Sequence, residues 1–334
     1  MKKTNLKLEI IPLKKDYEGE VSAAVEYANL PEANTVEIIP LKKDYEGEVS
    51  AAVEYANLPE ANTAVLYIHG YMDYFFQDHL ASFFMDKGIS FYAIELRKYG
   101  ASLKSHQHEN FFKDITEYDE EISIVLNKIK NDGHKNIIIN GHSTGGLLAT
   151  HYAINGEYKN LISGIVLNSP FFELNESKFV KFVLPFVTLF SCFVPYLKVS
   201  KLTSIYTESL HKNYKGKWNF NLKYKPVPSF NTYLGWLDGV LKAQKNIQKK
   251  QIKTIPSIIF HSNKSYFGTK WNDLLYESDG VLNVDDIDFF GRKIYPHADV
   301  IAINNAVHDI VLSSGDVIEN YFNHISAWLK NNSF

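Results

Sequence analysis

The chain has 334 residues, of which 45% are hydrophobic and 22% charged, and a net charge of -3. This is the composition of a globular protein with length enough for one large or two ordinary domains. No basic block is present to meet a phosphate backbone, so no nucleic acid partner is expected. The one cysteine, Cys192, excludes an internal disulfide framework and suits a reducing compartment. The first residues carry the charge of a signal peptide without an unbroken apolar core, so the expectation is a cytoplasmic protein.

Residues 9–35 and 37–63 are the same 27-residue sequence. Solenoid repeats drift and come in three or more copies, so this pair reads as a tandem duplication without a separate function. Each copy reads as two strands: Ile10–Leu13 with Glu20–Tyr27, and Ile38–Leu41 with Glu48–Tyr55. Only one copy can fill one place in a sheet. Copy two runs straight into the next strand. Seating copy one would turn copy two into a loop of about 28 residues, at a closure cost of about 3 kcal/mol. Copy two is therefore expected in the sheet. Copy one is expected to be displaced, mobile, or paired at an exposed edge of its own or another molecule. The opposite assignment stays open, because only copy one carries the upstream residues Thr4–Leu8.

Ala64–Ile68 reads as a buried strand ending in His69-Gly70-Tyr71, a loop whose backbone can approach a ligand closely. A helix is expected over Phe76–Lys87 and a strand over Ser90–Ile94, with Arg97 paired to Glu95 beyond it. Asp114-Ile115-Thr116-Glu117 reads as a capping box, and the apolar spacing of Ile115, Tyr118, Ile122, Val125 and Ile129 gives one helix face. The β-branched run Ile137-Ile138-Ile139 then stops at Gly141-His142-Ser143-Thr144-Gly145, and a helical pattern starts at once. A Ser on so tight a strand-to-helix turn sits in strained backbone, and bulky neighbours at Gly141 and Gly145 would clash. Its hydroxyl projects clear of the sheet, while the Thr144 N–H lies at a helix N-terminus, where negative charge is stabilised. With a strand over Ile162–Asn168, the alternation argues a mostly parallel sheet covered by helices on both faces.

From Pro170 to about Thr254 the alternation breaks. Ser177–Leu197 approaches the length of a membrane span, yet it holds Lys181, Pro185 and Pro195. It reads better as an apolar cap over a site, able to touch a membrane or micelle surface transiently. A helix is expected over Asn231–Ile247. The alternation resumes with a strand over Pro256–His261, a last strand over Asp299–Ile303, and a final helix over Gly315–Leu329. His308 falls in the loop after the last strand.

Nucleophilic acyl transfer needs a hydroxyl, a base for its proton and an acid to orient that base. The chain supplies Ser143, Asp279 and His308, in the order Ser, Asp, His of the α/β-hydrolase fold. The His-Gly loop, Gly-His-Ser-Thr-Gly-Gly, the apolar insertion after the following strand, and the late Asp and His together resemble the serine hydrolases of the monoacylglycerol lipase and serine aminopeptidase type. The resemblance runs from about residue 37 to the end. It implies a core over 37–170 and 255–334, a cap over 171–254, and an extra copy over 1–36. Ser143 would attack, His308 would serve as base, and the backbone N–H groups of Tyr71 and Thr144 would hold the oxyanion. His69 and His142 shape the loop and turn. The acid is expected at Asp279, about eighteen residues later than the family places it. Its rivals are Asp273, Asp285 and Asp286.

The expected activity is hydrolysis of a small-molecule carboxylic ester, most simply a monoacylglycerol or other single-chain lipid ester, needing neither metal nor cofactor. Removal of an N-terminal residue from a peptide is the alternative within the same fold. A non-catalytic binding protein on a hydrolase scaffold is the alternative outside it.

Overall fold

The computed structural model describes residues 9–12, 22–25, 35–201, 204–268 and 270–334. The upstream residues Thr4–Leu8, and residues 13–21 and 26–34 of copy one, lie outside them. Copy one contributes β1 (Glu9–Pro12) and β2 (Ser22–Val25), which pair with each other as a separate two-stranded sheet. Copy two, with the two residues before it, contributes β3 (Thr35–Pro40) and β4 (Ser50–Ala56). Then follow β5 (Thr63–Ile68), α1 (Asp78–Met85), β6 (Ser90–Glu95), α2 (Asp119–Asn131), β7 (Asn136–His142), α3 (Thr144–Asn155) and β8 (Ile162–Asn168).

The chain next leaves the sheet for α4 (Lys178–Thr188), β9 (Lys198–Lys201), α5 (Ile205–Leu210), β10 (Asn231–Tyr233) and α6 (Leu234–Ile247). It returns through β11 (Ser257–Ser262), α7 (Val284–Ile294), β12 (Asp299–Ile303) and α8 (Gly315–Asn331). Helix α6 starts at Leu234 rather than Asn231, because Asn231–Tyr233 pairs with β9 instead. Helix α7 was not expected, although Val284, Ile287, Gly291 and Ile294 recur at helical spacing and are buried along one face. Its sequence does carry an N-cap, Asn283, whose side chain accepts the Asp285 N–H, and Asp285 and Asp286 then occupy the acid-favouring first turn.

The eight-stranded sheet runs in the order β3-β4-β6-β5-β7-β8-β11-β12. Strand β4 is antiparallel to β3 and β6, and the strands from β6 to β12 are parallel. Central strands are apolar on both sides, as a doubly covered sheet requires; β5 is buried along its whole length. On one face lie Ile122, Val125 and Ile129 of α2, Leu147 and Leu148 of α3, Val240 of α6 and Ile287 of α7. On the other lie Leu80 and Phe84 of α1 with Val317, Tyr321, Ile325 and Trp328 of α8. This is an α/β-hydrolase fold with helices on both faces of a mostly parallel sheet.

The copy-two hairpin is fixed at its turn as well as along its strands. Lys98 is buried and meets Asp44 at 2.7 Å and Glu46 at 2.8 Å. Its ammonium also lies 4.4 Å from the Tyr45 ring centroid, within cation–π range. The Tyr45 hydroxyl donates to Glu117 at 3.0 Å, and Tyr55 stacks on Tyr92 with centroids 5.2 Å apart.

Candidate active site

Ser143 lies between the end of β7 and the start of α3, with φ 51° and ψ -115°. That is strained backbone for a residue with a side chain, and packing imposes it. A Cβ on Gly145 would stand 2.1 Å from the Ile68 carbonyl oxygen, and one on Gly141 would stand 2.6 Å from the Gly145 oxygen. Glycine at both positions lets the turn close against β5. The Ser143 N–H donates to the Asn168 carbonyl at 3.0 Å, and its own carbonyl accepts from Gly146, Leu147 and Phe171.

Three side chains from distant parts of the chain meet here. His308 Nδ1 lies 2.8 Å from Asp279 Oδ2, and His308 Nε2 lies 3.0 Å from Ser143 Oγ. With Nδ1–H donating to the carboxylate, Nε2 is left to accept the Ser143 proton. All three residues are buried. Asp279 Oδ1 accepts the Val281 and Leu282 N–H groups at 2.8 and 2.7 Å, so the carboxylate is oriented from both sides.

The late position of Asp279 has a topological cause. After β11 the chain makes an excursion and returns to where it left. Asp279 N–H donates to the Lys264 carbonyl, and Tyr266 N–H donates to the Asp279 carbonyl, each at 2.9 Å. Ser265 and Asp279 form an isolated parallel bridge. The acid therefore stands beside the end of β11, although the sequence places it far downstream. Of its rivals, Asp285 and Asp286 start α7, with Asp286 facing Lys181 at 3.2 Å, and Asp273 opens a short 3-10 turn.

The His69-Gly70-Tyr71 loop presses on the same turn. A Cβ on Gly70 would lie 3.2 Å from Ser143 Cβ. Tyr71 stacks on Trp236 of α6, with centroids 4.1 Å apart. Thr144 is the first residue of α3, so its N–H is among those a helix leaves without an intrahelical acceptor. His69 is fully buried: its Nε2 accepts the Leu96 N–H at 3.1 Å, and Nδ1 lies 2.8 Å from the Gly70 carbonyl oxygen. Burial lowers its pKa to about 4. The ring is thus a neutral peg between two loops.

A buried polar network that the sequence pattern did not reveal lies next to the three meeting side chains. Asn168 Nδ2 donates to Asp309 Oδ1 at 2.8 Å, its Oδ1 accepts the Ile310 N–H at 3.3 Å, and Gln77 donates to Asp309 Oδ2 at 3.0 Å. The Tyr206 hydroxyl of α5 accepts the Asp309 N–H at 3.0 Å, and its ring meets His308 edge-on. Lys225, from the segment between β8 and β11, reaches Asp73 at 2.8 Å, and His142 Nδ1 stands 3.4 Å from the other Asp73 oxygen. Burial alone would raise the Asp73 pKa, but Lys225 and His142 hold it well below the carboxylate range. Burial likewise works to lower His142, and Asp309 and Asp73 outweigh it and raise the imidazole. Among the described residues, Asp73, His142 and Asp309 have donor atoms close enough to share a cation, within 4.8 Å of one another. Lys225 already supplies positive charge there, and both Asp309 oxygens accept amide protons.

The expected Arg97–Glu95 pair is not formed. Arg97 turns to α2, meeting Glu121 at 2.7 Å and Glu120 at 2.9 Å, where a buried carboxylate matches its planar fork. Glu95 instead accepts the Ala101 N–H at 2.7 Å.

A family model described as serine aminopeptidase, S33, matches residues 59–267. Among solved structures, a soluble variant of monoglyceride lipase from Saccharomyces cerevisiae, in complex with a substrate analog, is 17% identical. That match covers 92% of this chain and 99% of the other, with a TM-score of 0.66. A putative hydrolase from Agrobacterium vitis S4 is 14% identical over 89% of this chain and 99% of its own, with a TM-score of 0.59. An esterase from Exiguobacterium antarcticum is 14% identical over 87% and 99%, with a TM-score of 0.56. At these identities the likeness is one of fold. No curated protein sequence matches.

Proposed function

The chain belongs to the serine aminopeptidase S33 family and is a hydrolase of the α/β type; from that premise we propose that it cleaves carboxylic esters through a serine acyl-enzyme, with single-chain lipid esters such as monoacylglycerols as substrates. Ser143 attacks the acyl carbon. His308 takes the Ser143 proton and returns it to the leaving alcohol, and Asp279 holds the imidazole and balances its charge. The backbone N–H groups of Tyr71 and Thr144 stabilise the oxyanion. Water, deprotonated by the same His308, then releases the acid. The observation that carries this reading is the unbroken hydrogen-bond chain from Ser143 Oγ through the ring of His308 to Asp279.

The lipid preference rests on the segment over 171–254, which we read as the cap. Its α4 and the turn after it present phenylalanines to solvent, Phe179 75% and Phe193 81% exposed, with Phe182, Phe186 and Phe190 between them. A contiguous apolar surface of this kind suits contact with a micelle or membrane surface. No helix among the described residues is long and apolar enough to cross a membrane. With the lone Cys192 suiting a reducing compartment, we place the protein in the cytoplasm. The aminopeptidase alternative needs a free carboxylate to bind the substrate ammonium. The nearby acids Asp73 and Asp309 are engaged by Lys225, Asn168 and Gln77, which favours the ester.

A panel of p-nitrophenyl and monoacylglycerol esters, with fluorophosphonate labelling mapped by mass spectrometry, tests the proposal. Label on Ser143, and loss of turnover in Ser143→Ala, is the expected result. Equal turnover by that variant would end it, and failure to label would favour a binding protein.

A further inference from the structure

The structure gives both copies of the duplicated sequence the same hairpin. In copy one, Glu9, Ile10, Ile11 and Pro12 stand opposite Val25, Ala24, Ala23 and Ser22. In copy two, Glu37, Ile38, Ile39 and Pro40 stand opposite Val53, Ala52, Ala51 and Ser50. The pairing register is identical, but the two hairpins differ in where they lie. Copy two is seated against β6, with Val53 opposite Ile94, while copy one forms a sheet of its own.

The seat itself lies outside the duplication. Lys98 receives Asp44 and Glu46, Tyr92 receives Tyr55, and Gln107 donates to the Glu48 carbonyl at 3.0 Å. Every one of those hairpin residues has an identical counterpart in copy one: Asp16, Glu18, Tyr27 and Glu20. Within the repeat nothing in the seat can tell the copies apart; outside it, β3 begins on Thr35 and buried Val36, where copy one offers Lys7 and Leu8. Apart from those two residues, the arrangements differ in how the chain must be routed. With copy two seated, the chain passes from the hairpin into β5 with no inserted loop to close. With copy one seated, residues 36–63 must leave and return as a closed loop. The logarithmic closure law puts that difference on the order of a hundredfold in favour of copy two.

We propose that the seat on β6 accepts either copy of the hairpin, so that copy one is a spare edge for the same sheet. The native population is dominated by copy two, and damage confined to copy two shifts the chain to copy one. The proposal is independent of the chemistry at Ser143, and its test reads folding rather than turnover.

The test uses the full chain with three variants: Val25→Asp, Val53→Asp, and both together. Val53 is fully buried in the seated hairpin, so an unpaired carboxylate there is incompatible with seating. Val25→Asp should unfold in denaturant as the parent does. Val53→Asp should still unfold cooperatively, with its folding equilibrium lowered about a hundredfold, the cost of closing the loop. The double variant, with no intact hairpin left, should show no comparable transition. The decisive reading is the gap between Val53→Asp and the double variant. If the two unfold alike, whether both badly or both well, copy one gives no rescue and the proposal fails.

Discussion

Asn168, at the end of β8, serves two chain segments at once. Its carbonyl holds the Ser143 N–H, and its side-chain amide holds both the carboxylate of Asp309 and the N–H of Ile310, next to His308. Asn168→Leu should therefore lower ester turnover about tenfold or more, through a misplaced base, while binding of a substrate analogue changes little. Steady-state kinetics that split kcat from KM check this. His69 carries a different consequence. Its pKa is about 4 in the fold against 6.5 in an open chain. The unfolded state thus binds more protons between these values, and stability must fall as pH drops from 6.5 towards 4. The single group accounts for about 3 kcal/mol across that window. Denaturant titrations at several pH values should show a flatter acid limb in His69→Gln, although that variant starts from lower stability.

At the scale of the element, Lys98 is the anchor of the seated hairpin. Lys98→Met would strand the Asp44 and Glu46 carboxylates without their cation, at a cost of about 3 to 5 kcal/mol. Because Lys98 belongs to the seat, copy one offers no rescue, and thermal unfolding should show the full loss. What the sequence reveals of the elements follows from how local each signal is. The strand–Ser143–helix turn is legible because its glycines, its β-branched run and its small-residue helix lie within a dozen or so residues. The capping box at Asp114 is equally local, with Glu117 accepting the Asp114 N–H at 3.1 Å. Helix α7 carries local signals of the same kind, the Asn283 cap and the spacing of Val284, Ile287 and Ile294, and could have been read from them. Lys225 and Asp73 escaped because they are 152 positions apart and nothing in either neighbourhood points to the other. Arg97 is the instructive error: Glu95 is near in sequence, but the side chain turned to the better-shaped partner on α2.

At the scale of the molecule, the sheet order and its helical covering follow from the alternation of strands and helices. The depth of the phenylalanines on α4 does not, since an apolar run can face inward or outward. They face solvent. Phe182→Ser together with Phe186→Ser should leave thermal unfolding within a degree or two of the parent, because little buried area is lost. Turnover of long-chain esters above their micellar concentration should fall severalfold, while a soluble acetate ester is hydrolysed as before. Equal loss on both substrates would tie these rings to the site rather than to a lipid surface.

The excursion between Tyr266 and Ser278 has its two feet tied together, through Lys264, Ser265, Tyr266 and Asp279. A segment anchored this way can be lengthened at its tip without moving either foot. The exposed stretch around Lys270 and Asn272 is therefore a natural splice point for an affinity handle or a fluorescent reporter, carried a short span of chain from the proposed acid and leaving its grip on the imidazole intact.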